Sequence, residues 1–533
     1  MKSKGVLMAL VTAAAFLLCS CGPSRPDFKA DYDVIIIGGG LGGLSAAAHC
    51  ASGGMKVLLF EQHDKVGGCA TNFTRGPFMF EVALHEMDGA AEGGAVYNLM
   101  KAAGVYDKVK LIPHRNLYRS IVPGADVTVP TGWDSYTAAL KKSFPGHEKE
   151  IDRYRGLCLE LQEQAMTMAE SFRWSPLKRV IKIAMVPIRQ RTLFKWRNRT
   201  VKDLMDECFT DERLKAVVSQ LWCYLGPPAD RQSAIMFVMA MGSYIQYGAW
   251  HVMGSSQALS DAYAERIKEL GGEVRTGVLV KKIIVKDGMV RGVETDEDKS
   301  YSARYIVANT DPWQLSLKLV GRENLPESYI SSINKLKTAN SLFGVWLGLN
   351  IDLKKRGYRD FEMFYNTSLS SGKDYDSMMA GDYANGTAVI AIFTNLGDPS
   401  YAPPGKSVVK LDAYADMKSW PERGDEYYRL KKKKMDELIS LASKVIPELK
   451  NPAYVEVKEG YTPRTLRDFT LNRGGVVYGF QNIPEQYSRI PVKTPIDNLF
   501  IASNWTQVSH GFSGVQINGW MASRLILDIE GKP

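Results

Sequence analysis

The chain has 533 residues, 45% of them hydrophobic and 23% charged, with a formal net charge of +9. That balance excludes wholesale disorder, and a mean hydropathy of −0.18 excludes a polytopic membrane protein. Length alone suggests about three folding units.

Residues 1–20 are different in kind from the rest. Lys2 and Lys4 precede an apolar run from Val6 to Leu18. The run is too short for a membrane span, which needs roughly 20 residues, but suits a secretory signal. Leu18-Cys19-Ser20-Cys21 resembles the bacterial lipobox. The resemblance implies cleavage before Cys21, lipidation of its thiol, and a chain exported and lipid-anchored on the periplasmic or cell-surface side of a bacterial membrane. Residues 21–30 read as a tether. The other cysteines (Cys50, Cys69, Cys158, Cys208 and Cys223) are odd in number and lack CxxC spacing, so they read as buried apolar residues and not as disulfide partners.

Asp33 to Ile37 is an uninterrupted β-branched run, the mark of a parallel strand covered on both faces. Gly38, Gly40 and Gly43 follow in G-x-G-x-x-G spacing and open an Ala-rich helix that ends near Ser52. Lys56 to Phe60 is a second strand, closed by Glu61. A tight turn, a close backbone approach and an open helix N-terminus together make a dinucleotide phosphate site, and the acidic residue suits a ribose hydroxyl. Further along, residues 256–269 read as a helix. Glu273 to Val280, Lys282 to Val285, Val290 to Glu294 and Tyr305 to Ala308 read as strands. So do Ser341 to Leu349, Ala388 to Thr394 and Asn498 to Ala502, and Gly514 to Leu527 reads as a closing helix. The fold class is α/β. A Rossmann-like nucleotide domain is assembled from residues 31–100, 250–315 and 460–533, and an α+β substrate domain (101–249 with 316–459) is inserted between them.

Residues beyond the glycine motif point to one family. Glu61 to Gly68 carries an E-x(5)-G-G extension, and Phe80 to His85 occupies an F-D-x-G-x-H-like position. Thr462-Pro463-Arg464-Thr465 with Arg473 to Gly479 is similar to a T-P-x-T…R-G-x-x-Y-G stretch. In these features the chain resembles the carotenoid isomerase, phytoene desaturase and all-trans-retinol saturase branch of the FAD-dependent amine oxidase superfamily. The resemblance covers most of residues 31–525 and implies FAD as cofactor. Gly38, Gly40, Gly43, Glu61, Gly67 and Gly68 would hold its phosphates and ribose, and Val280 its adenine. Asn504, Gly514 and Val515 would lie at the flavin end. Two departures stand out: Ser503-Asn504 replaces the usual Gly-Asp, and His251 to Ser255 replaces Y-P-x-G-G.

The implied activity is desaturation, saturation or isomerisation at C=C bonds of a hydrophobic, isoprenoid or polyene-like substrate, with an electron partner the sequence does not name. A flavin amine oxidase acting on C–N bonds and a flavin-free prenyl-lipid carrier of the same fold are the alternatives. For proton handling His85 is the first candidate and His510 the second, with Glu86, His251 and Tyr478 behind them. No metal motif, second Rossmann fingerprint or nucleic-acid signature is present. Residues 171–202 hold ten basic and no acidic residues interleaved with aromatic and aliphatic ones, a pattern expected of a membrane-facing surface.

Overall fold

Val34, Ile35, Ile36 and Ile37 are all buried, which is why the period-2 alternation of a one-sided strand is missing. Each such side chain contributes about 1.5–3 kcal/mol when fully buried. The computed structural model describes residues 25–170, 185, 189–486, 489–508 and 510–533. The segment expected to be a signal, Cys21 and much of 171–202 lie outside the described residues.

The strand Tyr32–Ile37 sits within a seven-stranded sheet, flanked by Val57–Phe60 and Ser300–Ala308, both parallel to it. Glu273–Arg275 extends the parallel part beyond Val57–Phe60. On the other side, Met289–Thr295 and Val280–Lys286 form an antiparallel meander. It leaves the C-terminal half of Ser300–Ala308 free to pair in parallel with Leu499–Ile501. The continuous strand expected over 273–280 is therefore two elements. The chain turns at Gly277, whose N–H donates to the His63 carbonyl at 2.7 Å, while Val278 N–H donates to the Glu61 carbonyl at 2.9 Å. Val280 consequently opens the meander. Helix Leu41–Ser52 packs against the closing helix, which spans Gly511–Glu530 and starts three residues before the expected Gly514.

The second sheet also has seven strands, in the order Val455–Tyr461, Ser341–Leu349, Ser407–Ala415, Thr387–Ile392, Glu362–Asn366, Asn116–Val122 and Ala125–Pro130. Only Asn116–Val122 and Glu362–Asn366 run parallel. Every residue of Ser407–Ala415 is buried. Helix Ala234–Tyr247 adds Phe237, Val238 and Met241 to the same core. A hairpin, Asn72–Arg75 with Phe78–Glu81, leans from the nucleotide side onto this sheet and packs Phe78 and Phe80 beside Trp346 and Phe393. Among the described residues, no helix is long and apolar enough to cross a membrane.

Candidate functional site

The glycine loop is built by close approach. A Cβ on Gly43 would stand 2.1 Å from the Gly38 carbonyl oxygen, so only glycine lets the helix begin there. Gly67 has φ +124°, and a Cβ on it would lie 2.2 Å from the Ala70 carbonyl. Glu61 is buried and ties these loops together: Oε2 accepts the Gly39 N–H at 2.7 Å and Oε1 the His63 N–H at 2.9 Å. Asn309 completes the loop and escaped the sequence reading. Its Nδ2 donates to the Ala502 carbonyl at 2.6 Å, bracing the closing strand against the glycines. The only trace of it in the sequence is the polar Asn-Thr-Asp-Pro that ends the strand Ser300–Ala308.

Gly38, Gly40, Glu61, Gly67, Gly68, Val280, Asn504, Gly514, Val515, His85 and His510 all line one cavity of about 1420 Å³, with Gly43 just behind it. Single-ligand sites run roughly 300–1,000 Å³, so the space accommodates a dinucleotide and a second molecule. Two helices open on it, capped by Gly40 and His510, and neither receives a side-chain cap. Helices Ser256–Glu269 and Pro463–Thr470 are instead capped by Ser255 and Thr462. The uncapped starts therefore keep backbone donors for an anion. Asn504 spends its Nδ2 on the Val477 carbonyl at 2.9 Å. At the other departure, Ser255 takes a left-handed backbone, φ 75°, where the related motif carries glycine, and its Oγ accepts from Asn72 Nδ2 at 2.6 Å. The glycine cradle, the unspent donors, the ribose-type acid and the cavity volume fit FAD.

The sequence profile of the flavin containing amine oxidoreductases matches residues 41–527. The chain belongs to that family. It is 24% identical to an all-trans-retinol 13,14-reductase of Danio rerio, over 93% of this chain and 86% of that protein. It is 25% identical to a chloroplastic prolycopene isomerase of Daucus carota, over 94% and 80%. A wild-type putrescine oxidase solved with putrescine has the same fold, with a TM-score of 0.62 at 16% identity, covering 94% of this chain and 99% of that one. The chain is an FAD-dependent oxidoreductase.

This flavoprotein's ionisable centre lies where its two sheets face the cavity. His85 lies on the connection after Phe78–Glu81. Glu81 Oε1 accepts the N–H groups of Ala83 and Leu84 at 3.2 and 3.1 Å and turns the chain there. The His85 ring reaches into the second sheet, with Nδ1 3.0 Å from both Glu362 oxygens and Nε2 2.8 Å from Asp412 Oδ2. Lys410 Nζ lies 2.8 Å from the same Asp412 oxygen, and Tyr461 donates its hydroxyl to Asp412 Oδ1 at 2.6 Å.

Register explains the assembly. Trp346, Lys410, Ala391 and Glu362 form one cross-strand row; Tyr461, Gly344, Asp412 and Val389 form the next row but one on the same face. A Cβ on Gly344 would meet Asp412 Oδ1 at 2.3 Å and Tyr461 Cε1 at 2.4 Å, so the glycine makes the Tyr461–Asp412 bond possible.

Burial opposes a charge on His85, but Glu362 and the Asp412 hydrogen bond outweigh it and lift the pKa to about 9. Burial also opposes the charge on Asp412, yet Lys410 and His85 hold its carboxyl well below the usual range. Burial raises Glu362 and, with Glu362 beside it, raises Glu86 strongly, disfavouring its charged form.

The other candidates differ. Burial pushes His510 down to about 3, and its Nε2 sits 3.0 Å from the Tyr224 carbonyl, so it lines the cavity as a neutral ring. His251, pushed down to about 4 by burial, lies away from the cavity lining. Its Nε2 lies 2.6 Å from the Tyr401 hydroxyl and its Nδ1 3.2 Å from the His85 carbonyl. Tyr478 lines the cavity, with its ring 4.5 Å from His510. Lys410, Asp412 and Glu362 were missed in the sequence, although K-x-D inside the otherwise apolar Ser407–Ala415 is a period-2 polar signal. Of the five cysteines, four are buried; Cys69 is half-buried and lines the cavity, its thiol pushed up to about 11 by burial. In the described end of the basic segment, Lys195 and Arg199 pair with Glu207, and Lys202 pairs with Asp206.

Proposed function

We propose that this flavoprotein adds, removes or relocates hydrogen at a C=C bond of a hydrophobic, isoprenoid or polyene-like molecule. One observation carries the reading: the cavity continues past the cofactor cradle between apolar walls, and the charges there are paired with one another. Phe237, Met239, Tyr244, Trp346, Tyr414 and Tyr478 contribute to those walls. Lys410 is matched by Asp412, and His85 by Glu362. A polyene needs no ionic partner, and Glu86, a cavity carboxylate outside these pairs, is raised strongly by burial and by Glu362, which disfavours the charged form an ammonium substrate would need. Retinol and prolycopene, named for the relatives, belong to the polyene class.

Bound FAD supplies hydride acceptance and donation. The chain's own groups do the rest. The glycine loop and Glu61 would hold phosphate and ribose, and the uncapped start of the closing helix would offer backbone donors to the flavin. The aromatic wall orients an extended apolar chain and excludes water, and the cluster around His85 keeps a proton available beside it at neutral pH. The test is to purify the chain from Gly22 onward, record the visible spectrum and release FAD by heat. Anaerobic turnover with polyenes and with amines follows. One FAD per chain with turnover of polyenes alone supports the reading; turnover of amines alone replaces it with the amine-oxidase alternative. A colourless protein that takes up no FAD removes it in favour of a lipid carrier.

We also infer export and lipid anchoring through Cys21, supported by the order of basic residues, apolar run and lipobox. The basic segment would then be a second contact with an anionic membrane. Metabolic labelling with a radioactive fatty acid should mark the wild type and not Cys21→Ala. Neutralising Arg189, Arg191 and Arg197 should weaken binding of the delipidated protein to anionic liposomes.

A further inference from the structure

The cavity wall contains several groups able to carry a proton, and nearly all their hydrogens are committed to protein acceptors. Both ring nitrogens of His85 face carboxylates, Nδ1 at 3.0 Å from Glu362 and Nε2 at 2.8 Å from Asp412. The Tyr461 hydroxyl spends its hydrogen on Asp412, and Tyr414 donates to the Cys223 carbonyl at 2.6 Å. Lys410 is one exception; the buried Glu86 carboxyl, which also lines the cavity and has no hydrogen-bond partner among the described residues, is another. The Lys410 ammonium has three N–H donors, and Asp412 at 2.8 Å takes one. Its other neighbour, His85 Nε2 at 3.2 Å, cannot accept while its own N–H points to Asp412. Two N–H bonds of Lys410 thus have no acceptor among the described residues, on a side chain that lines the cavity and is 2% exposed. The rings of Trp346 and Tyr461 pack against each other beside the ammonium, 5.9 and 5.7 Å from Nζ to their centroids.

We propose that Nζ of Lys410 is the catalytic proton donor and acceptor at substrate carbon, with His85, Asp412, Glu362 and Tyr461 as positioning residues. The proposal rests on the polyene reading above. In the hydrogen-adding direction a C=C bond takes a hydride at one carbon, supplied by reduced flavin, and a proton at its neighbour, supplied by Nζ. Two C–H bonds would form while the π bond, one Lys410 N–H bond and the hydride-bearing N–H bond of the reduced flavin break; the cofactor is oxidised by two electrons and Lys410 is left as a neutral amine. Its lone pair then faces His85 Nε2–H across 3.2 Å, the imidazolium proton crosses, and solvent recharges His85. Dehydrogenation runs the same steps backwards. For isomerisation, Nζ adds a proton to the polyene and removes it again after bond rotation, with no net redox change.

The experiment uses the FAD-loaded protein with all-trans-retinol and with a C40 polyene, each in detergent, in D2O. Lys410→Met is expected to lose about 10²–10⁴-fold in kcat, the usual size of a general acid–base contribution. KM, FAD content and the absorbance shift on polyene binding to the flavin-free protein should stay within about threefold of wild type on the same scale. Lys410→Cys treated with 2-bromoethylamine, which rebuilds an ammonium at that distance, should regain activity, while treated wild type gains none. Wild type should place one solvent deuterium in the product. Loss of polyene binding or of FAD in Lys410→Met, with no rescue of the aminoethylated cysteine, would overturn the proposal, as would wild-type kcat in the methionine variant. Wild type that turns over amines and no polyene would overturn the substrate reading itself, and this assignment with it.

Discussion

Five buried histidines respond to burial in opposite ways, and that contrast can be measured. Burial holds His49 and His251 near 4, His510 near 3 and His114 well below the ordinary value, whereas carboxylates on two strands lift His85 to about 9. The groups facing His85 are Glu362, Asp412 and Lys410, with the rings of Tyr224 and Phe393 packed edge-on. In the unfolded chain its pKa returns to about 6.5. A folded-state value above the unfolded one means that the native state binds the proton more tightly. The resulting stability is fully present below about pH 6.5 and lost as pH rises through about 9. A shift of about 2.5 units, at 1.36 kcal/mol each, amounts to about 3 kcal/mol. A chain of this length has an unfolding entropy of about 1.1 kcal/mol per degree, so the contribution corresponds to about 3 °C in Tm. The assay is calorimetric melting of FAD-loaded wild type and His85→Gln at pH 6 and pH 10. The glutamine keeps a donor but carries no charge, and titrations shared by both proteins cancel in the difference. The wild-type advantage should shrink by about 3 °C at the higher pH. An advantage that is constant, or that grows with pH, would refute the account of His85 as a buried imidazolium.

Three further substitutions probe the cradle and the sheet. Gly43→Ala forces a methyl to within 2.1 Å of the Gly38 carbonyl, so the purified protein should carry at least about tenfold less FAD, read from the ratio of flavin to protein absorbance. Glu61→Gln places an NH2 against one of two backbone N–H groups, leaving a buried donor unmet at about 1–3 kcal/mol; FAD affinity measured by fluorescence titration of the apoprotein should fall about 10–100-fold. Gly344→Ala cannot keep the Tyr461–Asp412 hydrogen bond. It should lower stability by about 1–3 kcal/mol in thermal melts and reduce kcat while FAD content is retained.

The two halves of the site differ in how far the sequence reveals them, and the reason is the distance along the chain over which each is assembled. Gly38, Gly40, Gly43, Glu61, Gly67 and Gly68 fall within one βαβ unit and its extension, where tight turns and an open helix start impose fixed spacings. The strand and helix pattern therefore marks these residues in the sequence, and the segments carrying Val280, Asn504 and Gly514, assigned by resemblance, line the same cavity. The proton centre has no such local signature. His85, Glu362, Lys410, Asp412 and Tyr461 come from a connection and three strands of the second sheet, and they meet only through register. What the sequence does show is the cost of that meeting. Ser407–Ala415 tolerates Lys410 and Asp412 among buried apolar residues, and Ser341–Leu349 carries a glycine at the position facing Asp412. A buried lysine or aspartate is destabilising unless each is matched, and the strand has no local partner for them beyond each other. A polar pair in period 2 on a central strand, opposite a glycine on the next, thus implies side chains arriving from elsewhere. Here His85 arrives from the connection after the hairpin, its carbonyl fixed by His251. Stability and reactivity share this arrangement: the carboxylates that make Lys410 and His85 tolerable inside the protein also keep a proton beside the substrate cavity.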